Sequence, residues 1–142
     1  MTFEIHPQLI ADCHHLGSLS VCHVLLHKNA ILPWFILVPE VGDEDFLDVD
    51  PEIRNQIVQE AAWISAFIKT TMRCSKTNVA AIGNVVRQLH VHIVGRNPGD
   101  ACWPQPVWGN LNTVASYTTK DLAEILHAMQ HGDVWGEQFT PC

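Results

Sequence analysis

The stretch Gln88-Leu89-His90-Val91-His92-Ile93-Val94-Gly95-Arg96 opens with polar and apolar residues in alternation. Alternate residues of a strand point to opposite faces, so Gln88, His90 and His92 should share one face while Leu89, Val91 and Ile93 fill the other. Two imidazoles looking out of one sheet surface have three readings: a metal site, a catalytic site, or a solvent face rich in histidine.

Outward from this strand, "NVAAIG" (78–83) reads as a further strand, separated from it by Gly83, Asn84 and Arg87. Upstream, "SVCHVLLHKN" (20–29) and the apolar run "WFILVPEV" (34–41) form an antiparallel hairpin around a break at "NAILP". Asp50 is a candidate N-cap, with Pro51 at the first helical position. Apolar residues then recur with helical spacing from Ile53 through Ile57, Ala61, Ile64 and Ile68 toward Met72, with Trp63 and Phe67 widening the stripe. That width suits an ordinary buried helix or a dimer contact. Residues 7–15 read as a short helix, with Pro7 in its first turn, Leu9, Ile10 and Cys13 on one face, and an end at Gly17. After Arg96 the chain is loop-like through "NPGDACWPQPVWGN", and a C-terminal helix starts at Thr119, with Leu122, Ile125, Leu126 and Met129 on one face and Gly132 at its end. At least four strands around one long helix make an α+β pattern.

The 142 residues suit one domain, residues 1–142. A net charge of -7 argues against non-specific nucleic-acid binding, because no basic stripe could neutralise a phosphate backbone. No apolar run is long enough to span a membrane, and "MTFEIHPQLIADCHH" lacks the basic start and apolar core of a signal peptide, so a cytoplasmic location is expected. The cysteines are five in number without a C-x-x-C pair, which reads as reduced thiols, most of them small core residues, rather than a disulfide framework or zinc ribbon.

For a metal, His90 and His92 would need a third ligand. Cys13, His14, His15, Cys22, His23 and His27 are candidates, but none has a spacing that commits it, and neither metal nor cofactor is expected. For catalysis on phosphorus, a neutral imidazole attacks if its other nitrogen is held as N–H by a carbonyl oxygen, leaving a free lone pair. A neighbouring histidine then stabilises charge or protonates the leaving group.

The run "QLHVHIV" resembles the motif of the histidine-triad family of nucleotide hydrolases and transferases, His-φ-His-φ-His-φ-φ with φ hydrophobic. Gln88 takes the place of the first histidine. The resemblance implies that His90 is the nucleophile that becomes transiently nucleotidylated at the α-phosphate, and that His92 is the third member of the triad. "GNVVRQLHVHIVGR" is similar to the family's Gly-Gln-Ser-Val run before the triad, which would make Gly83 and Asn84 the turn that approaches phosphate. "WFILVPE" resembles the strand before the family's dimer helix, and "LLHKNAILP" resembles the loop whose residue, here Asn29, contacts the ribose. Asn78 similarly corresponds to an asparagine near ribose and phosphate. The sequence departs from the family at Trp34, where many members carry another active-site histidine, and at Val85, which replaces a serine.

This similarity spans roughly residues 20–97, leaving the N-terminal helix and a C-terminal loop and helix (98–142) outside it. It implies a five-stranded antiparallel sheet with one long helix and a C-terminal helix, a purine nucleotide or dinucleotide substrate, and a homodimer. Dinucleoside polyphosphates, nucleotide phosphoramidates and related conjugates all fit as substrates. Two other functions remain open: a nucleotide-binding module with little turnover, and a zinc-binding protein. His14, His15, His23 and His27 read as surface or packing residues, and Trp103 and Trp108 as packing or as walls of a pocket.

Overall fold

In the computed structural model, which describes residues 2–142, helix α1 (Pro7–Asp12) runs directly into β1 (Cys13–Ser18), followed by β2 (Cys22–His27) and β3 (Trp34–Pro39). The long helix α2 (Pro51–Thr70) precedes β4 (Lys76–Ala80) and β5 (Val91–Arg96), and a loop leads to helix α3 (Thr119–Gln130) and a two-residue strand, β6 (Thr140–Pro141). The strands form one antiparallel sheet in the order β4-β5-β3-β2-β1-β6.

The sheet therefore has six strands where five were expected, a minor difference that arises at its β1–β6 end. The helix expected over 7–15 stops at Asp12, because Cys13 is extended and pairs with His27 of β2. Ladder pairing outweighs the helical spacing of Leu9, Ile10 and Cys13. Gly17 lets β6 close over β1, since a Cβ there would clash with the Thr140 carbonyl oxygen.

Helix α2 starts as its chemistry dictates, with the Asp50 carboxylate accepting from the Glu52 N–H at 3.1 Å and Pro51 first in the helix. Its Ile57, Ile64, Phe67 and Ile68 pack with Leu89, Val91 and Ile93 in the larger core, so the apolar face of the 88–96 stretch is the one covered by α2. Glu60 of α2 is fully buried, but its side-chain oxygens accept from the Val21 and Cys22 N–H groups and from Gln56, which satisfies them and pins the β1–β2 turn. Thr118 caps α3 through a reciprocal pair of hydrogen bonds with Asp121.

The opposite sheet face carries a second cluster, in which Leu25, Trp34, Ile36 and Val94 meet Leu9 of α1 and Val107 of the loop after β5. Arg96, only 2 % exposed, anchors that loop: its guanidinium makes a bidentate pair with Asp100 at 2.7 and 3.0 Å and donates to Asn78 Oδ1 at 2.9 Å. The site residues lie on this second face. No helix is long and apolar enough to cross a membrane among the described residues.

Candidate active site

Register brings the site together. Ile36 of β3 faces His92 of β5, which makes Trp34, two residues away on the same face, the diagonal neighbour of His92. Across the other side of β3, His27 stacks on Trp34 with ring centroids 4.2 Å apart and planes 11° from parallel. Trp108, carried in by the anchored loop, meets His92 edge-on at 5.3 Å and Trp34 at 6.2 Å. These rings wall a cavity of about 390 Å³, which is closed by Gln8, Leu9 and Asp12 of α1 and by Gly83, Asn84 and Val86.

The strand expected from Gln88 begins only at Val91. The ladder runs out there, since Leu37 pairs with Val91 and Ala80 with His92, and nothing pairs beyond. The strand expected over 78–83 is likewise shifted, to 76–80, so Ala81 to Gly83 leave the sheet. Residues 88–90 are thus free of the sheet, and the Gln88 carbonyl is available to a side chain. His90 Nδ1 lies 2.7 Å from it. A carbonyl only accepts, so Nδ1 carries the proton and His90 Nε2 keeps its lone pair.

His92 has the opposite tautomer. Trp34 Nε1–H donates to His92 Nδ1 at 3.0 Å, and an indole N–H can only donate, so the proton of neutral His92 sits on Nε2. Burial, together with the neighbouring His90 and His27, pushes the His92 pKa down to about 3. The two rings, 4.9 Å apart, therefore form a complementary pair: a lone pair on His90 and a neutral N–H donor on His92. Burial lowers the His27 pKa too.

Gly83 adopts φ +63°, a left-handed conformation suited to glycine, and with Asn84 it lines the cavity. The N–H groups of Gly83, Asn84, Val85 and Val86 donate to no acceptor among the described residues, leaving backbone donors beside the histidines. Trp108 Nε1 is the one buried side-chain nitrogen or oxygen without a hydrogen bond among them.

His90, His92, Gly83 and Asn84 are brought together at the cavity, and the other three candidates lie outside its lining. Asn29 ties the β2–β3 loop to the segment before α3, accepting from Ala115 N–H and donating to the Thr113 carbonyl. Asn78 accepts from Arg96. The Gln88 side chain turns to the N-terminal segment, where Oε1 accepts from His6 N–H and Nε2 donates to the Glu4 carbonyl, each at 2.8 Å. His27, which the sequence presents as a surface or packing residue, lines the cavity; its place at the end of β2, opposite the start of β3, is the signal for it. Gln8 and Asp12 gave none. No group of three or more His, Cys, Asp or Glu side chains that could hold a metal ion occurs among the described residues.

The antiparallel α+β fold thus gathers a histidine lone pair, a histidine N–H donor and a turn of backbone amides around one cavity. The chain belongs to the HIT-domain family, whose model matches residues 9–99, a family of nucleotide hydrolases and transferases. Similar solved structures include histidine triad proteins from three bacteria. That from Bradyrhizobium japonicum is 36% identical, with 89% of this chain and 95% of that one covered and a TM-score of 0.83. That from Marinobacter aquaeolei is 35% identical, with 96% and 98% covered and a TM-score of 0.86. That from Sinorhizobium meliloti is 32% identical, with 89% and 96% covered and a TM-score of 0.82. No curated protein matches the chain at a significant level.

Proposed function

We infer that the protein is a nucleotide hydrolase that cleaves at the α-phosphate of a dinucleoside polyphosphate, a nucleotide phosphoramidate or a related nucleotidyl conjugate. The observation that carries this reading is the His90 tautomer: with Nδ1–H given to the Gln88 carbonyl, Nε2 presents a lone pair to the cavity. Nε2 attacks phosphorus, the P–N bond forms, and the bond to the leaving group breaks. The leaving group departs with the bonding electrons and takes any proton from water. Water then attacks phosphorus, the P–N bond breaks with its electron pair returning to Nε2, and the water's proton passes to solvent, which releases the mononucleotide and leaves His90 neutral.

Because His92 stays neutral, it stabilises developing phosphoryl charge by donating from Nε2 rather than by giving up its proton. The free amides of the 83–86 turn add donors of the same kind. Gln88 stands in the place of the first histidine of the motif without titrating near neutral pH, and Asn29 and Asn78 brace the segments beside the site through Thr113, Ala115 and Arg96. Incubation with diadenosine tetraphosphate or an adenosine phosphoramidate should release AMP. Nucleotide binding without any release would support a binding module instead.

Trp34→Phe tests the role of His92. The ring remains to stack on His27, but the indole N–H that sets the His92 tautomer is gone, and kcat is expected to fall about tenfold with KM little changed. Steady-state kinetics read this directly; unchanged kcat would show that the tautomer is not set by Trp34.

The substrate reading is accompanied by a homodimer. Strand β4 is a sheet edge, and its Val79 is 56 % and Val58 of α2 52 % exposed, around an apolar recess of about 460 Å³. Sedimentation equilibrium should give twice the 15.9 kDa chain mass, and a monomer at micromolar concentration would contradict the pairing.

A further inference from the structure

We propose that the Gln88 side chain is a latch for the N-terminal segment and thereby a positioning residue for the nucleotide pocket, not a member of a proton relay. Its amide bridges the Glu4 carbonyl and the His6 N–H with two hydrogen bonds of 2.8 Å, gripping the backbone on either side of Ile5. The segment so held leads into the pocket wall. His6 caps α1, its Nδ1 accepting from the Gln8 N–H at 3.0 Å, and α1 then sets Gln8, Leu9 and Asp12 against the cavity. Gln8 in turn donates to Asp12 at 2.9 Å.

Helix α1 has only six residues, too few to be stable without tertiary support, so its position depends on the packing of Leu9 and on what holds its ends. At its C-terminal end it continues covalently into β1 and is fixed by the ladder. At its N-terminal end the polar attachment is the Gln88 amide, together with Phe3 stacked on His23 at 5.5 Å. Residue 88 thus serves both sides of the cavity: its carbonyl fixes the His90 tautomer and its side chain fixes the opposing wall. The donor and acceptor of a neutral histidine ring point apart, whereas the C=O and syn N–H of a primary amide are nearly parallel, which is why an amide suits the latch.

The inference rests on the nucleotide reading for its kinetic part only, and the test separates the two. Gln88→Met keeps the length of the side chain and removes both hydrogen bonds; Gln88→Glu keeps the acceptor for His6 and loses the donor to Glu4. For Gln88→Met, KM and the calorimetric Kd for AMP are expected to rise about five- to tenfold, with kcat within about twofold of wild type. Amide hydrogen exchange over residues 3–12 should accelerate in parallel, and Gln88→Glu should fall between. Gln88→His should give no gain in kcat. A fall in kcat with unchanged KM, Kd and exchange would place Gln88 in the chemistry and overturn the latch. Lower thermal stability with no change in KM, Kd or exchange would overturn it as well. If the wild type binds AMP without turnover, the hydrolase reading fails while Kd and exchange still decide the latch; if nothing binds, exchange over residues 3–12 decides it alone.

Discussion

Alanine in place of His90 is expected to reduce mononucleotide release by about a thousandfold or more, because the lone pair that attacks phosphorus is removed outright. The fold should survive. His90 sits past the end of the β3–β5 ladder, and the hydrogen bond lost is one to a neighbouring carbonyl, so the ladder and the α2 core are untouched. Circular dichroism and the melting temperature should therefore stay close to wild type while turnover is lost. His92→Ala removes one donor from a set that also includes the 83–86 amides, and its effect on kcat should be the smaller of the two. Equal turnover in His90→Ala and wild type would remove the nucleophile from the account.

The second large effect is on stability. Asp100→Ala strips the bidentate partner from a guanidinium that is almost wholly buried, leaving it Asn78 and a contact with Cys102. A buried charge without its counter-ion typically costs about 3–5 kcal/mol, which urea denaturation reads as a lower midpoint. The Arg96 hydrogen bonds hold the Asp100 carboxyl at about 2, against an ordinary 3.8. A depressed carboxyl contributes stability above its unfolded value and loses it on protonation of the native state. That contribution, about 2 kcal/mol, is thus present at pH 5 and above and disappears as pH falls from about 4 to about 2. The gap between wild type and Asp100→Ala should narrow over that window. A gap independent of pH would mean the pair does not titrate as its geometry requires. Because the 97–110 loop carries Trp108, the variant should also weaken nucleotide binding at neutral pH.

Much of the architecture is legible in local pattern. The Asp50-Pro51 pair and the Ile57-Ile64-Ile68 spacing mark α2, and the alternation around His90 separates the site face from the core face, because these features depend on residues close in sequence. What local pattern misses is set by long-range partners. Strand β1 reads as the continuation of a helix until β2 is there to pair with Cys13, and β6 is two residues that exist only because Gly17 permits close approach. The starts of β4 and β5 depend on where their neighbours end.

The site divides along the same line. His90, His92, Gly83 and Asn84 lie within ten positions of one another, and their motif announces the cavity they line. His27, Trp34 and Trp108 converge from three separate segments through stacking and edge contacts that spacing does not encode. Gln88 is placed on the histidine face by alternation, but the direction of its amide is decided by the Glu4 and His6 backbone, more than eighty residues away.

The central claim is a histidine nucleophile at position 90, and intact-protein mass after rapid quenching with an adenosine phosphoramidate or diadenosine polyphosphate tests it most directly. An adenylyl-sized increase in wild type, absent in His90→Ala, is the expected result. The same increase in His90→Ala, or mononucleotide release by wild type with no adduct at any quench time, would contradict it.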